Sequence, residues 1–302
     1  MAMPNEIATT TPQESQRTQN RFFAISRERM MATLVAFVFI CVVLFISLRW
    51  FERKITFHPD RHSPRDDWST PSRASDVWFT TADGFRLHGW FFEPEAQSKL
   101  ATVIYFHGNG GNITNVGWVG DNLAARGFAV LLFDYRGYGR SEGEVSDERD
   151  IYRDADAAYD FAVSKAPAES LVLYGQSLGT AAVVDLASRR QCSAIILESG
   201  FSSAGDVASD LFPWFPRPLR VLFKSQFESA RKLRKVNRPV LITHGEPDPV
   251  IRTHQSQLLF AAANEPKKLL IFPGAGHNVF GSMGDTYLDI VSQFIRESSA
   301  RK

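Results

Sequence analysis

Leu171-Val-Leu-Tyr174 runs straight into Gly175-Gln-Ser177-Leu178-Gly179 and then Thr180-Ala-Ala182. A short apolar strand, a tight turn and the start of an apolar helix are thus packed together, the pattern of a nucleophile elbow. Such a turn strains its central residue, and glycines two positions to either side remove side chains that would clash with strand and helix. The Ser177 hydroxyl is then expected to project above a sheet. The same spacing recurs at Gly139-Arg-Ser141-Glu-Gly143. There, however, a loop through Asp134-Tyr-Arg-Gly-Tyr138 separates the serine from the nearest strand, and Glu-Val-Ser-Asp follows it instead of an apolar helix. Context therefore favours Ser177 over Ser141.

Working outward, strands and helices alternate. Segments 77–81 and 86–92 are joined through Asp83-Gly84, a short-loop hairpin signal, and are expected to be antiparallel. Segments 102–106, 129–133, 171–174, 194–198, 239–244 and 268–272 are apolar runs without polar alternation, as buried parallel strands show. Helical periodicity covers about 114–126, 147–164, 178–188, 254–263 and 287–296. Right-handed strand–helix–strand crossovers give an eight-stranded, mostly parallel α/β sheet with helices on both faces.

A serine hydroxyl is a weak nucleophile until a neighbouring base takes its proton. His58 and His62 precede the sheet, His88 lies inside an early strand and His254 opens a helix, which leaves His107, His244 and His277 at strand ends. His107 begins a glycine-rich stretch with a different job, and His244 stands immediately before an acidic turn. His277, in Phe272-Pro-Gly-Ala-Gly-His277, follows the last strand on a loop able to bend back over the sheet. A carboxylate must orient this imidazole and stabilise its charged form. Asp248 in Thr243-His-Gly-Glu-Pro-Asp248 is the first choice, with Glu246 and Glu198 as competitors. Backbone donors for the developing oxyanion are expected from Leu178, after the nucleophile, and from Asn109, whose flanking glycines let the main chain approach a substrate.

The net charge of +1 over 302 residues offers no field to attract nucleic acid. Residues 30–48 contain no charged side chain and are long enough to cross a bilayer core as a helix. Arg49, Arg53 and Lys54 follow directly, with no small-residue cleavage site, so an uncleaved, single-pass signal anchor is expected. Basic residues on both sides leave its orientation open. Residues 1–29 read as a flexible polar tail and 49–75 as a turn-rich connector, placing the catalytic domain at 76–302. Of the two cysteines, Cys41 lies in the apolar run, and no metal-ligand cluster surrounds Cys192. Neither a disulfide nor a metal site is expected. An aromatic insertion at about 201–233, carrying Phe212, Trp214, Phe215 and Phe223, is expected over the active site, either packing a short cap or lining an acyl pocket.

From residue 78 to the C-terminus the chain resembles the α/β-hydrolase superfamily, particularly the single-span branch of Bem46-like proteins, bacterial membrane-anchored hydrolases and the ABHD13 and ABHD17 groups. The resemblance rests on His107-Gly-Asn-Gly-Gly-Asn112, Asp134-Tyr-Arg-Gly-Tyr-Gly-Arg-Ser141, Gly175-Gln-Ser-Leu-Gly179, His244-Gly-Glu-Pro-Asp248 and Gly274-Ala-Gly-His277, in that order. It implies Ser177, Asp248 and His277 as triad, Asn109 and Leu178 as oxyanion hole, structural roles for Asp134 and Arg136, and no cofactor. One departure is the absence of the N-terminal cysteine cluster that ABHD17-type protein depalmitoylases carry for lipidation. The expected activity is hydrolysis of ester- or thioester-type acyl substrates, small or lipidic, through a Ser177 acyl-enzyme. The alternatives are a serine peptidase of the same fold and a catalytically inactive membrane scaffold.

Overall fold

The computed structural model describes residues 12–63, 68–94, 100–214 and 223–300. The chain divides into two units, Met1–Glu52 and Arg53–Lys302.

Helix α1 spans Pro12–Thr56 and crosses that boundary. Within it, Arg29–Thr56 holds an 18-residue window of mean hydropathy 2.9, and this stretch is long and apolar enough to cross a membrane. Its large side chains, Phe37, Phe39 and Phe45 among them, are exposed. The helix begins well before the apolar run, taking in polar residues expected to form an irregular tail. Helix nucleation is the costly step. Once the apolar stretch is helical, extension through Arg, Gln and Glu is cheap, and Pro12 suits the first position.

In the second unit the elements follow as β1 (Ala74–Thr80), β2 (Arg86–Phe92), β3 (Ala101–Phe106), α2 (Ile113–Ala125), β4 (Phe128–Phe133) and α3 (Glu148–Val163). Then come β5 (Leu171–Gln176), α4 (Leu178–Ala187), β6 (Ala194–Glu198), α5 (Ala204–Leu211), α6 (Ser229–Leu233) and β7 (Val240–Glu246). The chain closes with α7 (His254–Ala262), β8 (Lys267–Pro273), α8 (Val279–Met283) and α9 (Asp285–Ser299). The strands form one eight-stranded sheet in the order β1-β2-β4-β3-β5-β6-β7-β8. β1 pairs antiparallel with β2, and β2 with β4, while β4, β3, β5, β6, β7 and β8 run parallel.

Alternation along the central strands feeds two cores. Ile104, Leu131 and Leu173 pack on one face with Ile151 and Ala155 of α3 and Val183 of α4. Val103, Val130 and Val172 pack on the other with Val119 of α2 and Val291 of α9. Strands sandwiched this way must be apolar at every position, which is why they lack polar alternation. The eight strands and five long helices match the expected pattern, whereas the short α5, α6 and α8 carry too few turns to show a period.

The expected domain boundary at residue 76 is too late. Phe57 and Trp68 are buried in the two cores. His62 donates its N–H to Gly139 O (2.8 Å), and Gly139 donates its own to Asp60 O (2.8 Å). The turn residues of this segment are local signals, but burial of Phe57 and Trp68 is a tertiary fact that composition does not carry. In the insertion, Phe212 and Trp214 stand 47% and 77% exposed, and Phe223 is half-buried. Phe215 lies outside the described residues.

Candidate active site

Ser177 sits between β5 and α4 with φ +51° and ψ −116°, a left-handed conformation that non-glycine residues rarely adopt. The flanking glycines are there because backbone leaves no room. A Cβ on Gly179 would lie 2.0 Å from Phe106 O, and one on Gly175 2.5 Å from the Gly179 carbonyl. Ser177 N–H donates to Glu198 O (2.9 Å), fixing the turn to the neighbouring strand.

The His107–Asn112 loop leaves β3 beside this elbow, where a Cβ on Gly108 would come 3.6 Å from Ser177 Cβ. Leu178 is the first residue of α4, so its N–H has no acceptor within the helix. The Gly108 carbonyl accepts from His107 Nδ1 (2.8 Å), which fixes the peptide plane that carries the Asn109 N–H. Burial pushes the His107 imidazole down to about 4, against a smaller upward pull from that carbonyl. The Asn109 side chain is engaged elsewhere: Oδ1 accepts from His58 N–H (3.1 Å) and Tyr138 OH (3.0 Å), and Nδ2 lies 2.9 Å from His58 Nδ1. Sequence reasoning set His58 aside, because an exposed histidine in a turn-rich segment carries no periodic or motif signal.

His277 reaches the site on the loop after β8. Gly245 lets this loop cross β7 closely, since a Cβ there would lie 1.9 Å from Gly276 O. His277 Nδ1 is 2.7 Å from Asp248 Oδ2. Asp248 Oδ1 accepts from the N–H groups of Val250 (2.8 Å) and Ile251 (3.0 Å). Burial alone would raise this carboxyl, but hydrogen bonds from His244, His277 and the Ile251 backbone outweigh it and hold it well below the usual carboxylate range. The half-buried Ser177 hydroxyl makes no hydrogen bond to His277 in this structure; without substrate, such contacts are often long and tighten on binding.

The competing acids lie elsewhere. Glu246 is exposed. Glu198 is fully buried, accepts from Tyr174 OH and from Phe280 N–H (3.1 Å), and is pushed upward by burial. Its carbonyl carries the nucleophile's peptide and its carboxyl carries α8, two residues beyond His277, so Glu198 ties these two parts of the site together.

Ser141 is consumed structurally, its Oγ donating to Asp134 O (2.6 Å) and accepting from His88 N–H (2.9 Å). Arg136, also buried, bonds Asp154 through Nε (2.8 Å) and Asp83 through Nη1 (2.8 Å) and Nη2 (3.0 Å), locking the β1–β2 turn to α3. Among the described residues no cluster of metal-binding side chains occurs.

The family described as "Serine aminopeptidase, S33" matches residues 97–229. The uncharacterized protein Rv2307c of Mycobacterium tuberculosis is 33% identical over 272 residues, covering 89% of this chain and 95% of the relative. Alpha/beta hydrolase domain-containing protein 17C of the mouse is 35% identical over 243 residues, covering 77% of this chain and 72% of the relative. The chain belongs to the α/β-hydrolase superfamily. Within it the chain falls in the branch of the alpha/beta hydrolase domain-containing proteins. Among solved structures, an esterase of Pyrococcus furiosus superposes with a TM-score of 0.64 at 19% identity, covering 80% of this chain and 97% of the other, a likeness of fold. This α/β-hydrolase fold thus places the elbow and the loops after β3, β7 and β8 at the C-terminal rim of the sheet, where open α/β sheets bind their ligands.

Proposed function

We propose that this α/β-hydrolase is a membrane-anchored serine hydrolase acting on ester- or thioester-type acyl substrates, with Ser177 as nucleophile, His277 as base and Asp248 as orienting acid. The observation that carries the reading is the His277 Nδ1–Asp248 Oδ2 hydrogen bond of 2.7 Å, borne on the loops after β8 and β7 of a sheet whose β5–α4 turn holds Ser177 at φ +51°. Nδ1 bonded to a carboxylate leaves Nε2 free to accept a proton. Ser177 Oγ attacks the acyl carbonyl while His277 takes its proton, and the oxyanion is held by the N–H groups of Asn109 and Leu178. His277 then protonates the leaving group and activates water to release the acyl group. No cofactor enters these steps.

A cavity of about 220 Å³ adjoins Asp248, lined by Val207 and Leu211 of α5 and by Val250 and Ile251. Phe212 and Trp214, exposed on the same insertion, and the apolar part of α1 support contact with a membrane and with substrates drawn from it.

The test is labelling by a fluorophosphonate probe. Wild type should label and Ser177→Ala should not, with kcat reduced on the order of 10⁶-fold; an unlabelled, well-folded wild type refutes the reading. The family description favours a second reading, an aminopeptidase. Aminoacyl p-nitroanilides alongside p-nitrophenyl esters of rising chain length separate the two, the proposal requiring faster turnover of the esters.

A further inference from the structure

Asp248 is held by two histidines. Its Oδ2 lies 2.7 Å from His277 Nδ1 and 3.0 Å from His244 Nε2. His244 is fully buried on β7, and its Nε2 is also 2.9 Å from Ile251 O. A carbonyl can only accept, so Nε2 carries the proton; it donates to Ile251 O and faces Asp248 Oδ2 at 3.0 Å. Nδ1, at 2.6 Å from the buried Ser256 Oγ on α7, then accepts the serine's hydroxyl proton in the neutral ring. Ser256, His244, Asp248 and His277 therefore stand in one line of close polar contacts, from the first turn of α7 to the base, with His244 meeting Asp248 as a 3.0 Å charge contact.

We propose that His244 is a positioning residue of the catalytic acid, holding Asp248 Oδ2 on His277 through its Nε2–H while Ser256 fixes the ring. The inference rests on the triad reading above. A carboxylate offers about four acceptor positions. Asp248 fills them with the Val250 and Ile251 backbone on one oxygen and the two imidazoles on the other. With Oδ1 fixed to the chain's own turn, the direction in which Oδ2 faces His277 depends on the second imidazole. His244 also draws negative charge from the oxygen that stabilises the His277 imidazolium. Removing it lets Oδ2 turn from His277, so the imidazolium formed in the reaction loses part of its stabilisation.

The experiment compares the full-length protein with His244→Phe, His244→Gln and Ser256→Ala, measuring the pH profile of kcat/KM and the thermal midpoint. His244→Phe removes the donor, whereas His244→Gln can still offer an N–H near the Nε2 position. Loss of the donor lets Oδ2 drift, and a misplacement near 1 Å costs on the order of 10²-fold. His244→Phe should therefore fall by about that factor across the pH profile. His244→Gln should recover most of the rate, and Ser256→Ala should lie between. In an Asp248→Asn background the His244→Phe loss should vanish, because the residue acts through Asp248. A folded His244→Phe with wild-type rate and profile, or losses that multiply in the double variant, overturns the proposal. If Asp248→Asn alone keeps the wild-type rate, it is the triad reading that fails.

Discussion

The catalytic unit should tolerate loss of everything before Arg53 and little beyond. Two chains test this, one beginning at Arg53 and one at Ser63. The second loses Phe57, which is buried in the core with its ring 6.2 Å from Phe227. Deleting a buried Phe costs about 3–5 kcal/mol. Among the hydrogen bonds it loses are three with backbone donors, His58 N–H to Asn109 Oδ1, Gly139 N–H to Asp60 O and His62 N–H to Gly139 O, each contributing about 1 kcal/mol. The Arg53–Glu144 ion pair is half-exposed and contributes little. The total, on the order of 7 kcal/mol, is comparable to the roughly 5–15 kcal/mol that holds a domain folded. Expressed without the apolar helix, the Arg53 chain should be soluble, melt cooperatively by circular dichroism and hydrolyse p-nitrophenyl butyrate. The Ser63 chain should be unfolded or melt at a far lower temperature. Equal midpoints and equal rates for the two would refute the assignment of residues 53–62 to the catalytic unit.

Arg136→Met leaves Asp154 buried without its cation and frees Asp83 on the β1–β2 turn. Breaking a buried pair costs about 3–5 kcal/mol, which for a unit of this size lowers the thermal midpoint by about 10 °C; a melt unchanged within 2 °C, roughly the shift expected for 1 kcal/mol, would show that the network contributes little. Gly179→Ala forces a Cβ to 2.0 Å from Phe106 O, a backbone atom that cannot swing aside. Overpacking of this kind costs about 1–3 kcal/mol or more. Here it also displaces Leu178, so fluorophosphonate labelling should be lost even in whatever fraction folds.

The parts of the site that could be read from the chain are those whose determinants are local. The elbow needs a strand, a serine, two glycines and a helix within a few residues, and the backbone contacts of Gly175 and Gly179 follow from that spacing. His277 was reachable because a glycine-rich loop after the last strand has one place to go. His58 was not, since its value comes from Asn109, fifty-one positions along the chain. Nor could the role of His244 be seen, because only folding brings Ser256 and Ile251 around its ring. The aromatic insertion was legible as an insertion, while the exposure of Phe212 and Trp214 had to come from the structure.

The choice among three acids illustrates the same limit, and one substitution resolves it. In chain order Glu198, Glu246 and Asp248 all lie between Ser177 and His277, with Asp248 the first choice. The fold gives Glu198 and Asp248 opposite environments, burial pushing Glu198 up while hydrogen-bond donors hold Asp248 down. An imidazolium needs an ionised partner, and burial disfavours the ionised form of Glu198. Glu198→Gln preserves the shape and the acceptor for Phe280 N–H, so the hydrolytic rate should change little. Were Glu198 the orienting acid, the same substitution would cost about 10⁴-fold, as removal of a triad carboxylate's charge does. Stability gives an independent check. A carboxyl with a raised folded pKa binds a proton that the unfolded chain releases, so wild-type stability falls as pH rises above the ordinary glutamate value of about 4.3. The glutamine variant has no such group and should lose less stability over that window. A variant whose melting point tracks wild type across the pH range would mean that Glu198 is ionised in the folded protein, and the case for Asp248 would then rest on its hydrogen bond to His277 alone.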